Sequence, residues 1–221
     1  MPFHLMVYIR VVLTTLVTIT CLLGDNFVEL TEHPVLRALV DNGTHAVIGA
    51  ITGIAFVIQF YDKITNCFGW SLILLCFLTS SLIDLDHFIQ ARSWNLEVSF
   101  QDATNLLRRP FLHCTTIPMV IFSVFIWTSC LNYFKTSLWL GALFCAFFTH
   151  HTRDAIRRGY WMCPYGTTNA LSYIYYVLLT IITPYLVYYT YSLCSSSAVQ
   201  RLLGFSTKNE SRYSSYKYSV V

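Results

Sequence analysis

Histidines and aspartates gather at four places in the sequence: Asp41 with His45, Asp84 with Asp86 and His87, His113, and His150 and His151 with Asp154. Imidazole nitrogens and carboxylate oxygens together are the ligand set of zinc, manganese or iron. A second acid beside each histidine is what a dinuclear site, or an outer layer that orients the ligands, makes use of. The expected cofactor is a divalent metal ion, zinc first. Asp41 and His45, like His150 and Asp154, are four residues apart, which stacks each pair on one helical face. That spacing selects His150, with His151, three before Asp154, left open. Asp84 and His87 share a face at a spacing of three. Asp86 turns away if its helix continues and can turn inward only if the helix ends there.

The elements that position these groups follow from composition. Of 221 residues, 55% are hydrophobic and 16% aromatic, while only 11% are charged, against about 25% in an ordinary soluble domain. A mean hydropathy of +0.54 and apolar blocks near the length that crosses a bilayer exclude a soluble globule, a disordered chain and a disulfide scaffold. The net charge of +3, from 14 basic and 11 acidic residues in no long run, gives no reason to expect a nucleic acid partner. The eight cysteines contain no C-x-x-C pair, and so suggest neither a zinc knuckle nor a redox motif.

Six blocks span roughly Leu5 to Leu23, Thr44 to Phe60, Trp70 to Ile89, His113 to Leu131, Leu138 to Thr152 and Leu171 to Leu193. Backbone groups in lipid must be bonded internally, and the blocks lack the alternation of a barrel, so the expected fold is an all-α, polytopic bundle. Arg10 interrupts the first block, which reads as a helix or as a signal-peptide core, giving six spans or five. One transmembrane domain over residues 1–194 and a flexible polar tail over 195–221 are expected. Pro118 and Pro184 fall inside blocks and read as kinks. The stretch from Trp94 to Phe100 is too short to span and reads as an interfacial segment.

An Asp at a helix centre costs about 2.5 to 3.5 kcal/mol, so ionisable groups beside spans need an interface or a partner. Threading the blocks alternately through the bilayer brings the start of the second, the end of the third, the start of the fourth and the end of the fifth to one face. All four clusters therefore share a side, a result that does not depend on the first block. Basic residues divide evenly between the two faces and leave the orientation and the membrane open.

In order, the motifs are Thr44-His45-x-x-x-Gly49, Asp84-x-Asp86-His87, Arg109-Pro110-x-x-His113-Cys114 and His150-x-x-x-Asp154. This order resembles a bacterial and archaeal family of predicted membrane-bound metal-dependent hydrolases. The departures are Ile83 where that family has Pro, Arg108 where it has a further His, and Cys114 where it has Ser. The runs from Leu36 to Asn42, from Arg108 to Thr115 and from His150 to Arg157 are similar to the transmembrane protein 267 family of animals. The resemblance implies a metal centre at one membrane face, with His45, Asp84, His87, His113, His150 and Asp154 as ligands and Asp86 as a ligand or a catalytic base. Cys114 either joins the ligands or packs beside His113.

Two functions follow as expectations. One is a multi-pass membrane protein acting as a metal-dependent hydrolase on a lipid or lipid-linked phosphate or ester, with Arg108 and Arg109 receiving an anionic headgroup or simply anchoring the interface. The other is a non-enzymatic membrane protein held together by a structural metal or a buried polar network. Membrane lipids are the expected partners in either case. A transporter would want its ligands near the midplane on broken helices, which these motifs do not provide.

Overall fold

The structure, a computed structural model, describes residues 2–87 and 109–202. Its helices are α1 (Phe3–Leu30), α2 (Pro34–Val57), α3 (Asn66–Leu82), α4 (Thr116–Cys130), α5 (Phe134–Arg158), α6 (Tyr173–Cys194) and α7 (Ser197–Leu202). A two-stranded antiparallel hairpin, β1 (Trp161–Met162) and β2 (Gly166–Thr167), follows α5. The protein is an all-α integral membrane bundle. The stretches Phe3–Leu30, Pro34–Phe60, Asn66–His87 and Tyr173–Cys194 are each long and apolar enough to cross a membrane, and α4 is a shorter apolar helix. α2 and α5 lie at the centre: α2 packs on α1, α3, α5 and α6, and α5 also packs on α3, α4 and α6. α1 turns Val11, Leu16, Ile19 and Leu23 outward, as a helix facing lipid does.

Lipid is as apolar as leucine, so helices in a membrane associate through small residues and interhelical hydrogen bonds. On α2, Gly49 and Gly53 form a G-x-x-x-G pair pressed against α3. A Cβ on Gly49 would lie 2.3 Å from Ser80 Oγ and 2.7 Å from the Cys76 carbonyl oxygen. From the other side of α3, Ser80 Oγ donates to the Ala146 carbonyl and Cys76 Sγ to that of Ala142, each at 3.3 Å. Gly49, Ser80 and Ala146 are each one helical turn deeper than His45, Asp84 and His150. This layer of small residues lets three backbones approach closely enough for the larger side chains above to meet.

Several element boundaries differ from the sequence expectation. α2 starts at Pro34, well before Thr44, because proline at a first helical position costs no hydrogen bond; Asp41 and His45 therefore lie within the helix. α4 starts at Thr116, so Pro118 sits in a first turn and needs no kink, and His113 belongs to a preceding 3-10 turn, Phe111–His113. α5 runs on to Arg158, its last-turn arginines favourably placed against the helix dipole. It stops at Gly159, whose φ of +67° and whose absent Cβ, 2.0 Å from the Thr168 carbonyl oxygen, admit no other residue without strain. After Ser195 comes the short α7, whose Gln200 donates to the carbonyls of Cys130 at 2.7 Å and Cys194 at 2.9 Å; the expected tail beyond residue 202 lies outside the described residues. Arg108 and the stretch from Trp94 to Phe100 lie outside the described residues.

Candidate metal centre

The four clusters meet at one end of the bundle. Asp84 Oδ1 and Asp154 Oδ2 lie 3.3 and 3.2 Å from His113 Nε2, and each lies 3.4 Å from His150 Nε2. The two imidazole Nε2 atoms are themselves 3.4 Å apart. Four donors placed about 2.0 to 2.2 Å from a zinc ion in a regular tetrahedron are about 3.3 to 3.6 Å from one another. All five of these separations fall in or beside that range.

The hydrogen bonds behind the ligands decide which atoms face inward. His150 Nδ1 lies 2.9 Å from the Ser80 carbonyl, which can only accept, so Nδ1 carries the proton and Nε2 presents a lone pair. His113 Nδ1 faces Asp86 Oδ2 at 3.4 Å, which leaves its Nε2 unprotonated in the neutral ring. With both rings neutral, two lone pairs and two carboxylate oxygens converge on one place. His45, only 2% exposed, turns an Nε2 without a hydrogen-bond partner toward Asp154 Oδ1 at 3.4 Å and stacks on His150 with ring centroids 3.8 Å apart. Such an arrangement calls for a cation. For His113, which lies outside the spans, burial disfavours the imidazolium, but hydrogen bonds to Asp154, Asp84 and Asp86 outweigh it and push the pKa up to about 12. A metal and a proton compete for the same place.

The remaining residues take distinct positions. His87 Nδ1 is 3.8 Å from Asp84 Oδ1, and its ring centroid is 4.5 Å from that of His113. Helix α3 breaks at Ile83 and Asp84, and the break turns Asp86 inward: its Oδ2 accepts the Leu112 amide at 2.7 Å. Asp86 stands behind His113, is not among the residues that line the cleft described below, and with His87 and His113 forms a second group that could hold a metal ion. His151 is the outer member of its pair, its Nε2 donating to the Leu112 carbonyl at 2.9 Å. Cys114 is buried, and its backbone bridges to Trp161 of the hairpin; it is not among the four convergent donors. Arg109 donates to the carbonyls of Arg158 and Gly159 and so closes the end of α5.

Asp41 does not join His45. It accepts both Arg157 terminal nitrogens, at 2.9 and 3.2 Å, and lies 2.7 Å from Arg153. Arg153, 2% exposed, also reaches Asp25 of α1 through Nε at 2.9 Å, and Tyr173 donates to the same carboxylate. Sequence reasoning passed over Asp25. The available signal was a carboxylate at the end of an apolar block on the clusters' side of the membrane, facing an arginine in excess.

Beside the four donors opens a cleft of about 710 Å³, to which Asp84, His87, His113 and Asp154 contribute wall. Comparison with known proteins adds the lineage. The chain is 38% identical over 178 residues to transmembrane protein 267 of Danio rerio, covering 75% of this chain and 73% of that protein. It is 39% identical over 169 residues to the Xenopus laevis protein of the same name, covering 74% of each. The chain belongs to the transmembrane protein 267 family. The Bos taurus member of that family is 38% identical over 176 residues, covering 75% of each chain. No family model and no solved structure matches the chain, so the likeness to bacterial and archaeal hydrolases rests on the motif order alone.

Proposed function

We propose that the protein is a multi-pass membrane hydrolase whose metal centre acts on a phosphate or ester at the level of the lipid headgroups. The observation that carries this reading is the cleft. A metal that only braces helices is enclosed by protein, whereas a catalytic one needs an open side, and here three of the four donors, Asp84, His113 and Asp154, form part of the cleft wall. Asp84, His113, His150 and Asp154 would hold the ion. A divalent zinc ion would supply Lewis acidity and lower the pKa of a bound water toward about 7.

The chain's own residues would do the rest. Ser80 and Asp86 fix the two imidazole tautomers, so that both rings offer nitrogen to the same point. His87 lines the cleft outside the four-donor group and is the side chain placed to accept a proton there. Asp86, behind His113, acts as a positioning residue.

One observation favours the structural alternative: four protein donors already complete a tetrahedron, as in structural zinc sites. Elemental analysis of the detergent-purified protein, followed by turnover assays with phospholipids, lipid phosphates and esters, separates the two. Stoichiometric zinc with hydrolysis that His87→Ala abolishes, while zinc is retained, supports the enzyme. Stoichiometric zinc with metal-dependent stability and no turnover supports the structural role, and absence of any metal defeats both.

A further inference from the structure

The cleft wall carries more positive charge than the pairs around it consume. Asp41 and Asp25 are matched by Arg153 and Arg157, and Asp84 and Asp154 would be matched by a divalent ion. Asp86 is turned onto His113 and the Leu112 amide. Among the described residues there remain on the wall Arg37, Arg109 and Arg158 against Glu32, an excess of two positive charges. Arg37 and Arg158 make no side-chain hydrogen bond or ion pair among the described residues. Burial, and then the like charge of Arg158, lower the pKa of Arg109, while Asp154 acts in the other direction. The same cleft is lined by Val28, Leu39 and Leu85, the last two being large side chains left exposed at the mouth.

We infer that the cleft binds an amphiphile ending in a phosphate monoester, its dianion on Arg37, Arg109 and Arg158 beside the metal centre and its chain along Leu39 and Leu85. A neutral ester or a zwitterionic diester would leave the positive excess unmatched. This narrows the hydrolase reading and rests on it for the charge assigned to the ion. In the reaction, the oxygen of water bonds to phosphorus as the bond from phosphorus to the alcohol oxygen breaks. One proton of the water passes to the departing alkoxide and the other stays with the phosphate, giving ROH and hydrogen phosphate.

The test is binding to the full-length protein, purified in a neutral maltoside detergent with zinc restored. The probes are dodecylphosphonate, dodecylphosphocholine and inorganic phosphate. Dodecylphosphonate is expected to bind about tenfold or more tightly than either of the others, and the double variant Arg37→Gln, Arg158→Gln to lose about tenfold or more of that affinity. Both arginines are exposed, so the double variant keeps its fold, which its melting temperature checks. Equal binding of dodecylphosphocholine overturns the monoester, equal binding of inorganic phosphate overturns the lipid, and affinity unchanged in the folded double variant overturns the subsite. Repeating the titration with chelator separates the two readings. Arginine-dependent binding without retained zinc keeps the anion subsite and removes the metal, while retained zinc with arginine-independent binding does the reverse.

Discussion

Helix α5 carries two polar clusters on adjacent faces, and they are built on opposite rules. On one, Arg153 and Arg157 meet Asp25 and Asp41, two cations against two anions, with Tyr173 completing the carboxylate of Asp25. On the other, His150 and Asp154 meet His113 and Asp84 so that four acceptor atoms point at one place. The first pairs each charge with its opposite and ties α1, α2, α5 and α6 together. The second gathers four donor atoms that could hold a metal ion. In a membrane, where every buried charge is costly, the difference separates a brace from a site: a brace closes its own account of donors and acceptors, and a site leaves a place for something else.

The comparison breaks most visibly at Arg153. Arg153→Met would leave Asp25 without its cation and Asp41 with Arg157 alone, and removal of one partner from a buried ion pair costs about 3 to 5 kcal/mol. The expected result is a sharp fall in the thermal unfolding temperature in detergent, with or without zinc. An unfolding temperature equal to that of the parent would show that the cluster is no brace. On the other face, His150→Ala and Asp84→Ala should each take bound zinc from stoichiometric to background by elemental analysis, while His33→Ala, on a residue away from the centre, leaves it intact. Equal zinc in all three would remove the metal centre.

Much of this was legible in the sequence, and the part that was not has physical causes. Alternating the spans across the bilayer was enough to bring His45, Asp84, His113 and His150 to one face, because helices in lipid have few other ways to run. The spacing of four chose His150 over His151, and the structure turns His150 toward Asp84 while His151 bonds to Leu112. The same spacing put Asp41 on the face of His45 but could not give its partner, since a carboxylate within reach of two arginines goes to the full charges before a histidine. The role of Asp86 depends on where α3 breaks. The partner that sets the tautomer of His150 is a backbone carbonyl, which no residue type announces.

Finer tests sharpen the contrast. Asp86→Asn should keep the fold and weaken zinc by about 10- to 100-fold, the usual cost of altering a group that orients a metal-bound histidine; competition with a chelator of known affinity measures it. Unchanged affinity would make Asp86 irrelevant to the ligand set. The smallest effect belongs to Arg157→Gln. Its side chain is half exposed and Asp41 keeps Arg153, so the loss after solvent screening is no more than about 1 kcal/mol. A fall in melting temperature as large as that of Arg153→Met would mean that the network is less redundant than its contacts indicate.

The carbonyl that holds His150 belongs to Ser80, and Ser80 is the residue against which Gly49 is pressed. The spacing between α2 and α3, set within the hydrocarbon by a glycine that touches no ligand, therefore governs the direction of an imidazole at the membrane surface. A single methyl group at Gly49 would act as a wedge whose far end is the ligand nitrogen. The separation of two helices thus enters the geometry of the centre through one backbone carbonyl.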